Sequence, residues 1–173
     1  MNPDRERWNE KYRRGGAPEL PSIALLMYRG RLAPGRALDL AGGAGENACL
    51  LALAGWRVVL ADLSDEAVAR ARARARGLRA DLTVVQADAL RLPFRGPFET
   101  IVVTRFLERS IAPELVRLLA PGGTLFVEQP VRGIRPDYCV QPGELRRLFA
   151  PLEPVLDIEE GDRSIYIGRK PGA

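Results

Sequence analysis

The residues best equipped for chemistry are three aspartates that follow one another at the ends of short apolar runs. Asp39 lies in Leu38-Asp39-Leu40, directly before Ala41-Gly42-Gly43-Ala44-Gly45; Asp62 closes Arg57-Val58-Val59-Leu60-Ala61; Asp88 follows Leu82-Thr83-Val84-Val85-Gln86-Ala87. A glycine-rich turn between a strand and a helix lets backbone approach a ligand closely, because glycine lacks a Cβ and tolerates positive φ. Gly43-Ala44-Gly45-Glu46-Asn47-Ala48 also satisfies the G-x-G-x-x-A form of the dinucleotide fingerprint, with Asp62 about 20 residues on to grip ribose hydroxyls. By itself such a turn equally describes a tight connection with no ligand, and a lone Asp at a strand end is ordinarily a cap or turn former. Asp39 changes the chemistry, since a carboxylate there would repel a pyrophosphate and favour a cationic ligand. Three carboxylates delivered in succession to one sheet edge, the edge where open α/β sheets bind ligands, point to a site.

The elements that must position these residues alternate along the chain. Asn2 is a candidate N-cap with Pro3 at the first helical position, and the helix to Arg13 carries Trp8 and Tyr12 four apart on one face before Gly15-Gly16 end it. A second helix is expected over 22–29, with Pro34-Gly35 as the break before the main fold. Strands are expected at 37–40, 57–62, 82–86, 100–104 and 124–128, with helices at 47–54, from Ser64 to near Gly77, and at 113–119. Pro121-Gly122-Gly123 reads as a turn into the fifth strand, 129–141 as a loop, 143–149 as a short helix, and 155–160 with 164–169 as a closing hairpin. The run from Val68 to Arg76 alternates with period two, but Ala and Arg are strong helix formers. Val68, Ala71, Ala75 and Leu78 fall at helical spacing as a core stripe, which leaves the arginines as a solvated face. Strands alternating with helices require crossovers and a parallel sheet. The expectation is an α/β fold: a Rossmann-like three-layer α/β/α sandwich whose mostly parallel, seven-stranded sheet ends in an antiparallel hairpin. One domain is expected over 1–173, with 1–33 as a helical cap and 34–173 as the core.

Composition narrows the chemistry. The 173 residues contain no histidine, which removes the commonest metal ligand and the commonest general base, and no metal site is expected. Two cysteines, Cys49 and Cys139, suggest neither a disulfide framework nor a Cys-based metal site. The net charge of +4 permits a nucleic-acid partner, but 22 acidic residues are interleaved with 26 basic ones and no aromatic-basic platform stands out, so a small molecule is the favoured partner. No apolar run approaches the roughly 20 residues that span a bilayer, and the first residues are too charged to open a signal peptide. A cytoplasmic protein without membrane partners, as monomer or homodimer, is expected.

From about Trp8 to Lys170 the chain resembles small class I methyltransferases dependent on S-adenosylmethionine (SAM), in particular the bacterial group similar to the tellurite-resistance methyltransferases. The resemblance rests on Trp8-Asn9-Glu10-Lys11-Tyr12, the stretch from Leu38 to Ala48, Ala61-Asp62-Leu63-Ser64 and Gln86-Ala87-Asp88. It continues through Phe98 to Val103, Leu119-Ala120-Pro121-Gly122-Gly123 and Gln141 to Leu145. It implies SAM as cofactor and S-adenosylhomocysteine as product. Asp39 and the backbone of Ala41 and Gly43 would hold the methionine portion, with Gly42, Gly45 and Asn47 also among the cofactor-binding residues. Asp62 would take the ribose hydroxyls and Leu63 would pack on adenine, with Asp88, Ala89 and Leu90 at its edge. Thr104 and Arg105 would lie under the sulfonium and at the substrate mouth, and Trp8 and Tyr12 would close the pocket. The chain departs from the pattern at Ala41, where glycine is usual, at Glu99 in place of Asp, at Glu46 where the group often carries Arg, and in a short 130–138 segment.

Methyl transfer from a sulfonium is a direct displacement in which the protein chiefly aligns nucleophile, methyl carbon and sulfur. A soft anionic acceptor such as a thiolate or metalloid oxyanion needs no general base, which suits a chain without histidine. For amine or hydroxyl acceptors, Glu128, Asp137, Tyr138 and Cys139 are the candidate proton acceptors. Arg105 is the candidate catalytic residue, as an acceptor-positioning cation. Three function classes follow: a methyltransferase acting on a small molecule, with RNA as the alternative acceptor; a non-catalytic SAM-binding regulator; and an NAD-linked oxidoreductase, against which Asp39 stands.

Overall fold

The computed structural model describes residues 2–16, 20–133 and 138–172. Asn2 caps the first helix, α1 (Pro3–Arg13), by accepting from the Asp4 amide, and Ser22 caps α2 (Ile23–Tyr28) by accepting from the Leu25 amide. The sheet strands are β1 (Arg36–Leu40), β2 (Arg57–Asp62), β3 (Leu82–Gln86), β4 (Phe98–Thr104), β5 (Leu119–Pro130), β6 (Glu153–Glu160) and β7 (Arg163–Arg169). Between them run α3 (Glu46–Leu53), α4 (Asp65–Leu78), α5 (Ala112–Leu118) and α6 (Glu144–Leu148). The strand order is β3-β2-β1-β4-β5-β7-β6, parallel from β3 to β5 and antiparallel across β7 and β6. The expected seven-stranded architecture is present. The order reverses between β1 and β4, and that switch point opens a crevice at the carboxyl ends of the strands.

Alternation of side chains along each strand sorts the core into two layers. Leu38, Leu40, Ile101, Val103, Leu125 and Val127 pack against Leu115 and Leu118 of α5 and Leu145 of α6. Their neighbours Ala37, Val102 and Phe126 face the other way, with Val58 and Leu60, onto Leu25 of α2, Ala48 and Leu51 of α3 and Ala71 of α4. Buried on both faces, β1 reads as an apolar run into which Asp39 is set.

Three local expectations need correction. Pro121-Gly122-Gly123 is a bulge inside β5 rather than a turn before it, because the register with β4 jumps from Phe98↔Leu119 to Thr100↔Thr124 and the extra residues stay in the sheet through Gly122 N–H to Lys170 O, 3.0 Å, and Lys170 N–H to Gly123 O, 2.8 Å. The strand then continues through Pro130, two residues into the expected loop. In α4 the stripe holds at Val68, Ala71 and Ala75, but Leu78, in the last turn beside edge strand β3, is 49% exposed.

The bulge makes a direct prediction. A Cβ on Gly123 would lie 2.8 Å from the Ala120 carbonyl oxygen and 3.1 Å from those of Phe98 and Glu99, all backbone atoms that cannot yield, whereas one on Gly122 (φ +74°) meets open space. Gly122→Ala is expected to cost about 1–2 kcal/mol from its left-handed conformation alone. Gly123→Ala should cost more, about 1–3 kcal/mol of overpacking together with a lost pairing of β4 and β5; urea unfolding of the two variants checks the order.

Candidate active site

The glycine turn is shaped by what lies beneath and above it. Ala41, Gly43 and Gly45 all have positive φ (52°, 59° and 86°), which winds the chain tightly from β1 into α3. A Cβ on Gly42 would stand 2.7 Å from Asp39 Oδ2, and one on Gly43 would stand 2.5 Å from the Tyr12 hydroxyl. Gly42 therefore lets the turn lie on the Asp39 carboxylate, and Gly43 lets α1 close over the turn. Gly45 faces Ala71 of α4 and lines neither of the cavities under α1, so its part is the turn itself.

Asp39 is wholly buried, and neither carboxylate oxygen has a hydrogen-bond partner among the described residues. Burial raises its pKa to about 8; the negative charges of Asp62 and Glu46 add to the rise, and the Ala48 amide counteracts in part. Asp62, at the end of β2, is nearly as buried but well partnered: it accepts from the Gly43 amide (2.9 Å) and the Ser64 amide (2.8 Å), binding the glycine turn to the start of α4. Burial raises its pKa too, and those amides offset the rise. Glu46, in the first turn of α3, is a third buried acid, paired with Arg74 at 2.6 Å. Its pKa is raised chiefly by burial, with Arg74 and Arg105 acting in the opposite direction.

Helix α1 closes this acidic floor. The Asn9 side chain accepts from the Ser64 hydroxyl (2.7 Å) and donates to Asp65 (2.9 Å), docking α1 on the start of α4. Arg70 of α4 donates to the Tyr12 carbonyl, and Arg74 donates to the Ala44 carbonyl (3.1 Å) as well as to Glu46. The arginines of α4 are thus not only a solvated face: Arg70 and Arg74 brace the helix and the turn that bound the site. Tyr12 is buried, and its hydroxyl titrates above its ordinary range because of burial and the Asp62, Glu46 and Asp39 charges.

Two cavities meet under α1. The larger, about 440 Å³, is lined by Asp62, Leu63, Asp88, Ala89 and Leu90 and by Asp4, Arg7, Phe106, Leu107, Glu108, Arg109 and Tyr138. The smaller, about 340 Å³, is lined by Lys11, Gly42, Gly43, Glu46, Asn47 and Thr104. Trp8, Tyr12, Ala41 and Arg105 line both. The larger cavity thus lies at the ends of β2 and β3, and the smaller at the ends of β1 and β4.

A sequence pattern described as a methyltransferase domain matches residues 37–123, half of the chain. The chain belongs to the methyltransferase domain family. With this fold it is a class I SAM-dependent methyltransferase domain. It is 43% identical over 106 residues to the demethylmenaquinone methyltransferase of Thermus thermophilus, a match that covers 55% of this chain and 47% of that protein. The chain spans about half the length of the curated relatives it matches. Among solved structures it is similar to TehB from Haemophilus influenzae (TM-score 0.79, 18% identity, 96% of this chain and 66% of that one). It is also similar to the N-methyltransferase NodS from Bradyrhizobium japonicum in complex with S-adenosylhomocysteine (TM-score 0.74, 21% identity, 95% and 98%). These likenesses concern the fold.

Within this methyltransferase domain, thirteen of the fifteen expected site residues line one or both cavities; the exceptions are Gly45 and Asp39, which lies beneath the turn. Asn47 and Thr104 line the smaller one but bond to each other (2.9 Å), and Asn47 also accepts from the Ser22 amide (2.8 Å). Asp88 caps the short turn 89–91 by accepting from the Leu90 amide. Glu128 is corrected as a candidate proton acceptor: it is buried away from both cavities, accepts from the Ser22 hydroxyl and pairs with Arg163. Cys139 is buried and lines neither cavity, whereas Tyr138 lines the larger one, where its hydroxyl accepts from Arg7 (3.0 Å). Asp137 lies outside the described residues. Sequence reasoning missed Lys11, which shares the face of Trp8 and Tyr12 at helical spacing. It also missed the 106–109 segment, which carries no periodic signal.

Asp39 gives this site a pH signature. Its pKa stands at about 8 in the folded chain against an ordinary 3.8, so the ligand-free protein holds a proton there at pH 7. For this group stability is fully present below the unfolded value and is lost as pH rises from about 4 through 8. A cation bound above the turn favours the ionised form. Binding of SAM near pH 7 should therefore release a proton, and affinity should climb with pH until about pH 8. Calorimetry in two buffers of different ionisation enthalpy is expected to show this release, and Asp39→Asn to abolish it while weakening binding.

Proposed function

We propose that this chain transfers the methyl group of SAM to a small-molecule acceptor that enters beside Trp8 and Phe106. The observation that carries the reading is the buried, unpartnered carboxylate of Asp39 beneath the glycine turn. A carboxylate so placed is costly unless a positive charge comes to rest above it, and SAM carries two, a sulfonium and an ammonium. A pyrophosphate on the same turn would meet Asp39, Asp62 and Glu46 together, which disfavours NAD.

The residues present fit the cofactor. Asp62 would bind the ribose hydroxyls with the lone pairs that the Gly43 and Ser64 amides leave free. Leu63, Ala89 and Leu90 would enclose the adenine, with Asp88 accepting from its amino group. Gly42 and Gly43 allow the methionine end close to the backbone, with Asp39, Glu46 and Asn47 around it. When bound, SAM supplies an electrophilic methyl group on a sulfur that leaves as a neutral thioether. Trp8 and Tyr12 exclude water from above, and Thr104 and Arg105 form the wall between cofactor and acceptor. The contribution of Arg105 is positional, as a planar cation at that wall.

The acceptor reading rests on the larger cavity's mouth. Trp8, Leu90, Phe106 and Leu107 offer apolar surface to a flat ring, while Arg7 and Arg109, lining the same cavity, are already engaged by Asp4 and by Glu144. The demethylmenaquinone methyltransferases among the relatives support a quinol-like acceptor. A thiolate or metalloid oxyanion is the second reading, supported by Arg105 in the lining of both cavities and by a chemistry that needs no histidine.

Radiolabelled SAM offered with a naphthoquinol, simple thiols, metalloid oxyanions and unmodified tRNA tests these readings. Label is expected in the naphthoquinol; label in the thiol or oxyanion alone selects the second reading, and label in tRNA alone contradicts both. Tight SAM binding with no transfer to any of them indicates a regulator rather than an enzyme. Asp62→Ala should weaken SAM binding by about 1–3 kcal/mol, the range for losing charged hydrogen bonds. Unchanged affinity in calorimetry contradicts the ribose assignment.

A further inference from the structure

The smaller cavity is lined by charges of both signs. Glu46 is one of them, already matched by Arg74 from α4, with Asp39 buried beneath the turn. Lys11 and Arg105 are the others, and neither has an acid within ion-pair distance among the described residues. The Lys11 ammonium rests 4.4 Å from the centroid of the Trp8 ring, and Arg7 beside it is occupied by Asp4 (3.1 Å) and the Tyr138 hydroxyl. Desolvation lowers the Lys11 pKa, and the Arg105 and Arg7 charges lower it further, so the two unmatched cations share one field.

The backbone reinforces this placement. Arg105 follows the end of β4 with φ +55°, a conformation uncommon for residues with a Cβ, and its amide is tied to the Glu128 carbonyl at 2.9 Å. A bulky residue held in such a conformation at a cavity wall marks a place where the side chain's position matters more than backbone ease. Two positive groups that line one cavity with no acid in ion-pair contact are electrostatically incomplete. A cavity lined by an acid and two cations complements an amino-acid group, ammonium toward the acid and carboxylate toward the cations.

We propose that Lys11 and Arg105 together form the subsite for the α-carboxylate of the cofactor's methionine portion. The inference rests on the SAM reading and adds to it. The helix α3 position that faces the methionine end is an acid, Glu46, so the anion's partners come from the covering helix α1 and from the turn after β4. Binding of the carboxylate then draws α1 down over the cofactor, because Lys11 sits between Trp8 and Tyr12 on that helix. The same two cations would also suit a carboxylate on the acceptor, and the choice of probes separates the two sources.

The test measures binding by calorimetry, without acceptor and without turnover, for wild type, Lys11→Met, Arg105→Gln and Lys11→Arg. The probes are SAM, decarboxylated SAM and 5′-methylthioadenosine, which lacks the whole amino-acid end. Wild type is expected to bind SAM at least about tenfold more tightly than decarboxylated SAM. Lys11→Met and Arg105→Gln should each lose about tenfold for SAM yet keep their affinity for the other two probes within about twofold, and Lys11→Arg should restore SAM binding. Equal losses for all three probes, or no loss for SAM, overturn the carboxylate assignment, and the acceptor would then be the source of any anion. Failure of wild type to bind 5′-methylthioadenosine and SAM alike overturns the SAM reading instead. Circular dichroism and melting of each variant confirm that the fold is retained.

Discussion

A carboxylate in the middle of a parallel sheet, with no hydrogen bond to either oxygen among the described residues, is the constraint around which this molecule is arranged. Asp39 sits on β1, the strand at the switch point, with apolar neighbours on both faces of the sheet. Ionised and alone it would destabilise the fold by several kcal/mol, and protonated it still leaves polar atoms unmatched. The fold tolerates the group by raising its pKa to about 8. That arrangement stores an attraction for positive charge directly under the glycine turn. It explains why the residue above it is Gly42, since any Cβ would collide with the carboxylate.

The remaining architecture carries that field to a usable surface. Asp62 fastens the turn to α4 through the Gly43 and Ser64 amides, and Asn9 fastens α1 to the same corner through Ser64 and Asp65. Arg70 and Arg74 brace the assembly from α4. Helix α4 thus holds Asp62, the covering helix and the buried Glu46 in fixed relation. Displacing α1 exposes the acidic floor to water, whose high dielectric weakens its hold on a cation. Closure by α1 and strength of binding are in this way one property.

Much of this was legible in the residues. Periodicity, caps and punctuating glycines located the helices and the sheet, because those signals are local and β1 to β5 alternate with helices as parallel sheets require. Asp39, Asp62 and the glycine turn were legible as a candidate site because a carboxylate beside such a turn is chemically discordant with a phosphate. What escaped depends on contacts distant in sequence. The Pro121-Gly122-Gly123 bulge is held in β5 by Lys170, almost fifty residues on. Glu128 reads as a free acid until its partners Ser22 and Arg163 are placed beside it. The alternating Ala-Arg run shows that α4 is a helix but not that Arg70 and Arg74 point their charges at the site. Lys11 was overlooked because a lysine on a polar helix has no distinguishing local signal.

Buried acid beneath the glycine turn should select a positively charged nucleoside over a phosphorylated one. Thermal melting of the same protein with saturating SAM, with ATP and with NAD, at pH 8 where Asp39 is substantially ionised, tests that most directly. SAM is expected to raise the melting temperature, while neither phosphorylated nucleotide does. Stabilisation by NAD or ATP equal to that by SAM would contradict it.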